Sequence, residues 1–161
     1  MPALTPSQTI GPFFAEAFKW AIEMSAPPSG GVRVSGRVLD RDANGVSDAL
    51  IEIWQPNWGT QQPLAGWQRV ATDAQGRFSF AMPAPANGPV HANVTLFARG
   101  LLRELFTRVY LHPNDDVKAV ELPASVSQAR RSTLVGKRSG ENTYEWNICL
   151  QGEGETVFFE I

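Results

Sequence analysis

Short runs in which every second residue is apolar, each closed by glycine or proline, constrain this chain more than any other feature. Val32, Val34 and Val38 share one parity within VRVSGRVLD, as do Ala49, Ile51 and Ile53 within ALIEIW and Phe78, Phe80 and Met82 within RFSFAM. A strand turns successive side chains to opposite faces, so each set lines one face of a sheet. Fourteen glycines and twelve prolines punctuate these runs, and the same pattern predicts further strands at 67–72, 91–99, 105–111, 133–138, 144–150 and 156–161. Many short strands at this spacing predict an all-β chain folded as a β-sandwich. The one helical candidate is 14–23, where Phe14, Phe18 and Ile22 recur at helical spacing ahead of the Pro27-Pro28-Ser29-Gly30-Gly31 stretch. Residues 1–31 therefore read as an N-terminal arm and linker belonging to the same single domain, and 32–161 as the sandwich.

The chain has 161 residues, 43% of them hydrophobic, enough for one domain with its own core. Lysine plus arginine number 14 against 16 acids, for a formal charge of -2. That balance lacks the basic excess a phosphate backbone requires and argues against nucleic acid as a partner. No apolar run reaches the roughly 18 residues of a membrane span, and the N-terminal MPALTPSQTIGPFF lacks the charged and apolar regions of a secretory signal. The single cysteine, Cys149, cannot form an internal disulfide and sits in the strand-like run NICLQ, where it reads as a small buried hydrophobe. These features lead to the expectation of a cytoplasmic protein.

The tetrapeptide D-A-x-G occurs at Asp42–Gly45 and again at Asp73–Gly76, each between strand-like runs. Turn chemistry accounts for both, with aspartate capping local amides and glycine accepting positive φ. The first copy imitates the opening of an EF-hand loop, but Ile51 stands where that loop needs a bidentate glutamate, so calcium is not expected. The two histidines, His91 and His112, and the two tyrosines, Tyr110 and Tyr144, compose a set that hard ferric iron would accept. The simpler reading has Tyr110 and His112 covering a sheet edge. On the run from His91 to Arg99, Ala92, Val94, Leu96 and Ala98 face the core; His91, Asn93, Thr95, Phe97 and Arg99 share the other face, bordering either a site or water. Arg130, Arg131, Lys137 and Arg138 form the densest basic group, with Glu141, Glu145, Glu153 and Glu155 following as surface partners. No G-x-S-x-G elbow, phosphate loop, C-x-x-C pair or H-E-x-x-H helix occurs.

Five stretches together carry a resemblance: TPSQTIGPFF from Thr5, SGRVLDRDANGVSDALIEIWQPN from Ser35, LFARG from Leu96, QARRSTLVGKR from Gln128 and QGEGETVFFEI from Gln151. They resemble the intradiol ring-cleavage dioxygenases, and within that family the α subunits of its protocatechuate-cleaving members. The resemblance spans nearly the whole chain and implies a prealbumin-like sandwich of mixed short strands. It also implies an Fe(III) cofactor held by a partner β subunit through two tyrosines and two histidines, the latter on an R-P-x-H-x-H strand. The matching strand here reads Gly88-Pro89-Val90-His91-Ala92-Asn93. One histidine survives as His91, the second position is Asn93, and the arginine is Gly88; no tyrosine follows Trp54-Gln55 in the next turn or lies between Met82 and Gly88. The resemblance thus implies that this chain binds no iron itself.

What the resemblance assigns instead is a share in the partner's pocket, through Thr9, Gly11, Pro12 and Arg99, in a hetero-oligomer acting on protocatechuate and dioxygen. The implied product is 3-carboxy-cis,cis-muconate, formed without external reductant in the catabolism of aromatic compounds along the β-ketoadipate route. A cation such as Arg99 would favour the substrate carboxylate, and Gly11-Pro12 would let backbone approach the ring. Two other readings remain open on sequence alone. One is a noncatalytic transthyretin-like binding sandwich; the other is a homomeric iron enzyme using His91, His112, Tyr110 and Tyr144.

Overall fold

The apolar alternation builds two sheets that face one another. The computed structural model describes residues 18, 20, 22, 31–55, 66–85, 88–114, 116, 118 and 120–160. Among them, the first sheet contains β1 (Val32–Leu39), β4 (Arg77–Met82), β7 (Lys137–Gly140) and β8 (Thr143–Glu145) in the order β4-β1-β8-β7, with β9 (Ile148–Cys149) also pairing β1. The second contains β2 (Leu50–Trp54), β3 (Trp67–Ala71), β5 (Val90–Phe97) and β6 (Leu105–Leu111) in the order β3-β2-β5-β6. Strand β1 is antiparallel to β4 but parallel to β8 and β9, so the first sheet is mixed, whereas the second is antiparallel throughout.

The residues chosen by parity do form the core. Val34, Val38, Phe80 and Met82 from one sheet meet Ile51, Ile53, Ala92, Val94 and Leu96 from the other, with Tyr144 and Ile148 enclosed among them. Removing this apolar surface from water at about 25 cal/mol per Å² is the main favourable term holding the layers together. Gln68 closes one margin of the sandwich. Its buried side-chain amide donates to the Ala81 carbonyl (2.8 Å) and accepts from the Ala81 N–H (3.0 Å), satisfying both ends of the amide across the two sheets.

Three sequence expectations are corrected. The strand expected at 133–138 is instead the end of a 3-10 helix, Gln128–Leu134, followed by β7. Its consecutive Leu134 and Val135 are both buried in a second apolar cluster with Tyr110, Val120 and Val126, and a strand facing one core cannot bury adjacent residues in that way. The segment expected as a strand at 156–161 pairs through a single bridge, Phe159 with Phe106. In the first D-A-x-G turn, Asp40 rather than Asp42 is the cap, its Oδ1 accepting from the N–H groups of Asp42 (2.9 Å) and Asn44 (2.8 Å). There Ala43, not Gly45, takes positive φ (61°). Gly45 answers to space, because a methyl would collide with the Gln75 carbonyl. The second turn follows expectation: Asp73 caps Gln75 and Arg77 at 2.8 Å each, and Gly76 has φ 73°. Backbone donors, Asn44 foremost for Asp40 and Arg77 for Asp73, hold both carboxyls below their ordinary range.

Most of the predicted helix 14–23 lies outside the described residues. Ile22 N–H donates to the Phe18 carbonyl at 3.0 Å, a bond of helical spacing. No helix among the described residues is long and apolar enough to cross a membrane. Cys149 is half-buried, and burial pushes its thiol pKa up, away from thiolate chemistry.

The crossing of β1 between β4 and the β8–β9 segment gives a direct stability test. A methyl at Gly36 would sit well inside contact distance of the Trp146 carbonyl, and backbone cannot yield as a side-chain tip can. Gly36→Ala should cost about 3 kcal/mol in urea unfolding, as overpacking does. At Gly100, where φ is 84° and the space is open, alanine should cost only about 1–2 kcal/mol of left-handed strain.

Candidate functional site at the outer face of the second sheet

Strand β5 sorts its residues as the alternation predicts, with Ala92, Val94, Leu96 and Ala98 buried and His91, Asn93, Thr95 and Phe97 turned outward. Antiparallel pairing then places neighbours across that outer face. One row runs Trp67, Trp54, Asn93, Arg108, and the next runs Arg69, Glu52, Thr95, Phe106. In the second row Arg69 forms an ion pair with Glu52 and lies over the Trp67 ring at 4.8 Å. In the first, Arg108 Nε donates to Asn93 Oδ1 at 2.9 Å, and the guanidinium stands 5.6 Å from the Phe159 ring centroid. Arginine only donates, so the amide oxygen of Asn93 must face it and the Nδ2 hydrogens turn away.

His91 lies across from Tyr110, their rings stacked at 5.4 Å and 29°. The backbone carbonyl of His91 accepts from Gln55 Nε2 at 3.1 Å, which fixes the strand beneath the ring. Although His91 is exposed as a residue, partial burial lowers its pKa from 6.5, and the nearby Arg108 charge lowers it further. Both influences favour the neutral ring.

The positions singled out from sequence do not all meet. His91 and Asn93 are neighbours on one face. Arg99 stands beyond the other end of β5, eight residues on, or roughly 27 Å at strand spacing. It is exposed, and its Nη2 donates to Ser47 Oγ across a long 3.4 Å. Thr9, Gly11 and Pro12 lie outside the described residues. Gly88, which the resemblance sets at the arginine of R-P-x-H-x-H, has φ 145°, a conformation side chains rarely adopt, so a larger residue would be strained at this corner.

The set His91, His112, Tyr110 and Tyr144 falls into two pairs, His91 stacked on Tyr110 and the Tyr144 hydroxyl donating to the His112 carbonyl at 3.5 Å, with their polar atoms otherwise engaged. Tyr144 is fully buried in the core from the opposite sheet, its hydroxyl accepting from Arg138 at 2.9 Å. The Nδ1 of His112 is engaged by the N–H groups of Asn114 (3.2 Å) and Asp116 (3.3 Å). No group of three or more His, Cys, Asp or Glu suited to a metal occurs among the described residues. At the degenerate position itself, a guanidinium sits on Asn93, and a fixed cation beside one neutral imidazole opposes a ferric ion. These residues do not fit iron. Arg108, which creates that opposition, was missed by the sequence reading. Its parity with Tyr110 is visible in LFTRVYL, but its partner Asn93 emerges only from strand register.

This site can be set beside known proteins. No family model matches the chain. The protocatechuate 3,4-dioxygenase alpha chain of Burkholderia cepacia is 34% identical, over 98% of this chain and 97% of that one. The chain belongs to the family of protocatechuate 3,4-dioxygenase alpha chains. The beta chain of the same enzyme from Burkholderia cepacia is 28% identical, over 93% of this chain but 77% of its own length, so the alpha-chain likeness is both stronger and more complete. Intradiol dioxygenases are non-heme iron enzymes, which gives the misfit at Asn93 its meaning. The alpha-chain alignment runs over 191 positions, 30 more than this chain has residues, so the Burkholderia protein carries insertions that this alpha-chain homologue lacks. The fold is shared with the dioxygenase domain of a dioxygenase carbohydrate-binding protein fusion from Streptomyces sp. SirexAA-E. That structure has a TM-score of 0.54 at 24% identity, covering 92% of this chain and 98% of that one.

A titration tests the electrostatics of the site. His91 should show a midpoint below 6.5 by NMR, and Arg108→Met should raise it. Because the folded value is depressed, the stability that rests on a neutral His91 is complete above pH 6.5 and declines as pH falls through 6.5 toward the folded midpoint. A midpoint unmoved by Arg108→Met would remove the guanidinium from this account.

Proposed function

We propose that this chain is the iron-free alpha subunit of a protocatechuate 3,4-dioxygenase, inactive alone, which completes the substrate pocket of an iron-bearing beta subunit. The observation that carries the reading is the Arg108–Asn93 hydrogen bond at the degenerate histidine position, in a chain related over almost its whole length to alpha chains. Family membership favours this over a transthyretin-like binding sandwich, and the engagement of the Tyr144 hydroxyl by Arg138 and of His112 Nδ1 by backbone N–H groups weighs against a homomeric iron enzyme.

In this reading protocatechuate and dioxygen combine to 3-carboxy-cis,cis-muconate, both oxygen atoms entering the product as the ring opens between the two hydroxyl-bearing carbons. The Fe(III) belongs to the beta subunit. This chain supplies binding and shape. Arg99 is the residue for the substrate carboxylate: it is exposed, and its long hydrogen bond to Ser47 leaves guanidinium donors free to form a charge-assisted pair. In a chain of net charge -2, attraction of an anion has to come from such a locally placed cation. Thr9, Gly11 and Pro12, on the arm formed by residues 1–31, are the other pocket residues. There glycine would admit close backbone approach and proline would fix the bend, excluding water from the bound ring. Residues 32–161 are the sandwich that presents Arg99. A cytoplasmic setting suits the lone, half-buried Cys149.

The experiment is Arg99→Ala in the assembled enzyme. The Michaelis constant for protocatechuate should rise about tenfold or more, the size of a lost charge-assisted hydrogen bond, while that for catechol, which lacks the carboxylate, should change little. Equal changes for both substrates would remove Arg99 from carboxylate recognition.

A further inference from the structure

The geometry points to a binding site for a small aromatic carboxylate on the outer face of β5 and β6, with Arg108 as the anion receptor. A cavity of about 320 Å³ opens there, at the small end of ligand pockets and suited to about one ring. Phe106 and Phe159 wall it, with Pro123 beside them. Phe159 is held in place by its N–H bond to the Phe106 carbonyl (2.8 Å).

The polar floor is arranged for an anion. Arg108 is oriented twice, through Nε on Asn93 Oδ1 and through its face over Phe159. Its two Nη groups have no hydrogen-bond partner among the described residues, so the outer edge of a preoriented fork remains available. Carboxylates fill such a fork bidentately. Asn93 adds to this: with its oxygen turned to Arg108, its Nδ2 donors point elsewhere, and they too have no partner among the described residues. Thr95 lines the same cavity with a hydroxyl able to donate. Aromatic walls for a ring, and for its acid group a preoriented guanidinium whose Nη groups have no hydrogen-bond partner among the described residues, together specify the ligand class. Glu160 is exposed and is the one acidic side chain among the described lining residues, so it weakens rather than creates the attraction. The inference does not rest on the role proposed for Arg99.

The test is NMR of the full chain, 15N-labelled, titrated with benzoate and, in parallel, with its neutral isostere benzamide. Benzoate should shift the Arg108 Nε–H and the Asn93 side-chain amide saturably, and benzamide should bind at least about tenfold more weakly. Arg108→Met should weaken benzoate about tenfold or more, Arg108→Lys should restore part of the loss, and Glu160→Gln should tighten binding. If Arg108→Met loses its dispersed spectrum, Asn93→Asp takes its place: a carboxylate in the floor should weaken benzoate while the fold persists. Absence of saturable shifts with millimolar benzoate, equal binding of benzoate and benzamide, or indifference to both the Arg108 and Asn93 substitutions would overturn the site.

Discussion

The register between β5 and β6 decides what the outer face of the second sheet can hold. Because Asn93 pairs with Arg108 and His91 with Tyr110, a guanidinium is delivered to the place where the iron-bearing relatives are expected to carry a second histidine. A shift of one residue would turn Arg108 into the core and bring Val109 outward, which burial forbids. The register is in turn held by Ala92, Val94 and Leu96 against Ile51, Ile53 and the first sheet. Core packing thereby fixes the electrostatics of a surface it never touches. The same packing places Arg108 on β6 opposite Asn93 and leaves Arg99 past the far end of β5.

Much of the framework was legible because it depends on alternation alone. Strands β1 to β6 fall close to where the parity of apolar residues puts them, and in β1, β2, β4 and β5 the apolar residues of the expected face are buried. Legibility failed where a segment answers to two environments. Leu134 and Val135 are buried together in a second cluster, which produces a 3-10 helix in place of a strand. The 156–160 stretch alternates well enough to read as a strand, yet it lies along β6 with a single bridge. In the first turn, the motif D-A-x-G drew attention to Asp42 and Gly45, whereas the capping oxygen belongs to Asp40 and the left-handed residue is Ala43. Local chemistry was read correctly there, but two residues out of place.

The candidate site was half legible. His91 and Asn93 stand out once the strand is aligned with R-P-x-H-x-H, and the substitution at Gly88 is visible in the same line. What no single strand displays is the contact across it. Arg108 sits fifteen residues from Asn93, separated by a turn and an exposed loop, and only pairing reveals that a cation sits on Asn93. That contact matters physically. A missing ligand weakens a metal site, but a fixed guanidinium at bonding distance makes the position hostile to a trivalent cation and hospitable to an anion.

The measurement that bears most directly on this account is iron content together with protocatechuate-dependent oxygen uptake, made on this chain expressed alone and on the chain coexpressed with an intradiol beta subunit. The account predicts stoichiometric iron and turnover only in the coexpressed complex, with neither in the isolated chain. Stoichiometric iron and oxygen uptake in the isolated chain would contradict it, because the Arg108–Asn93 pair would then have failed to exclude the metal.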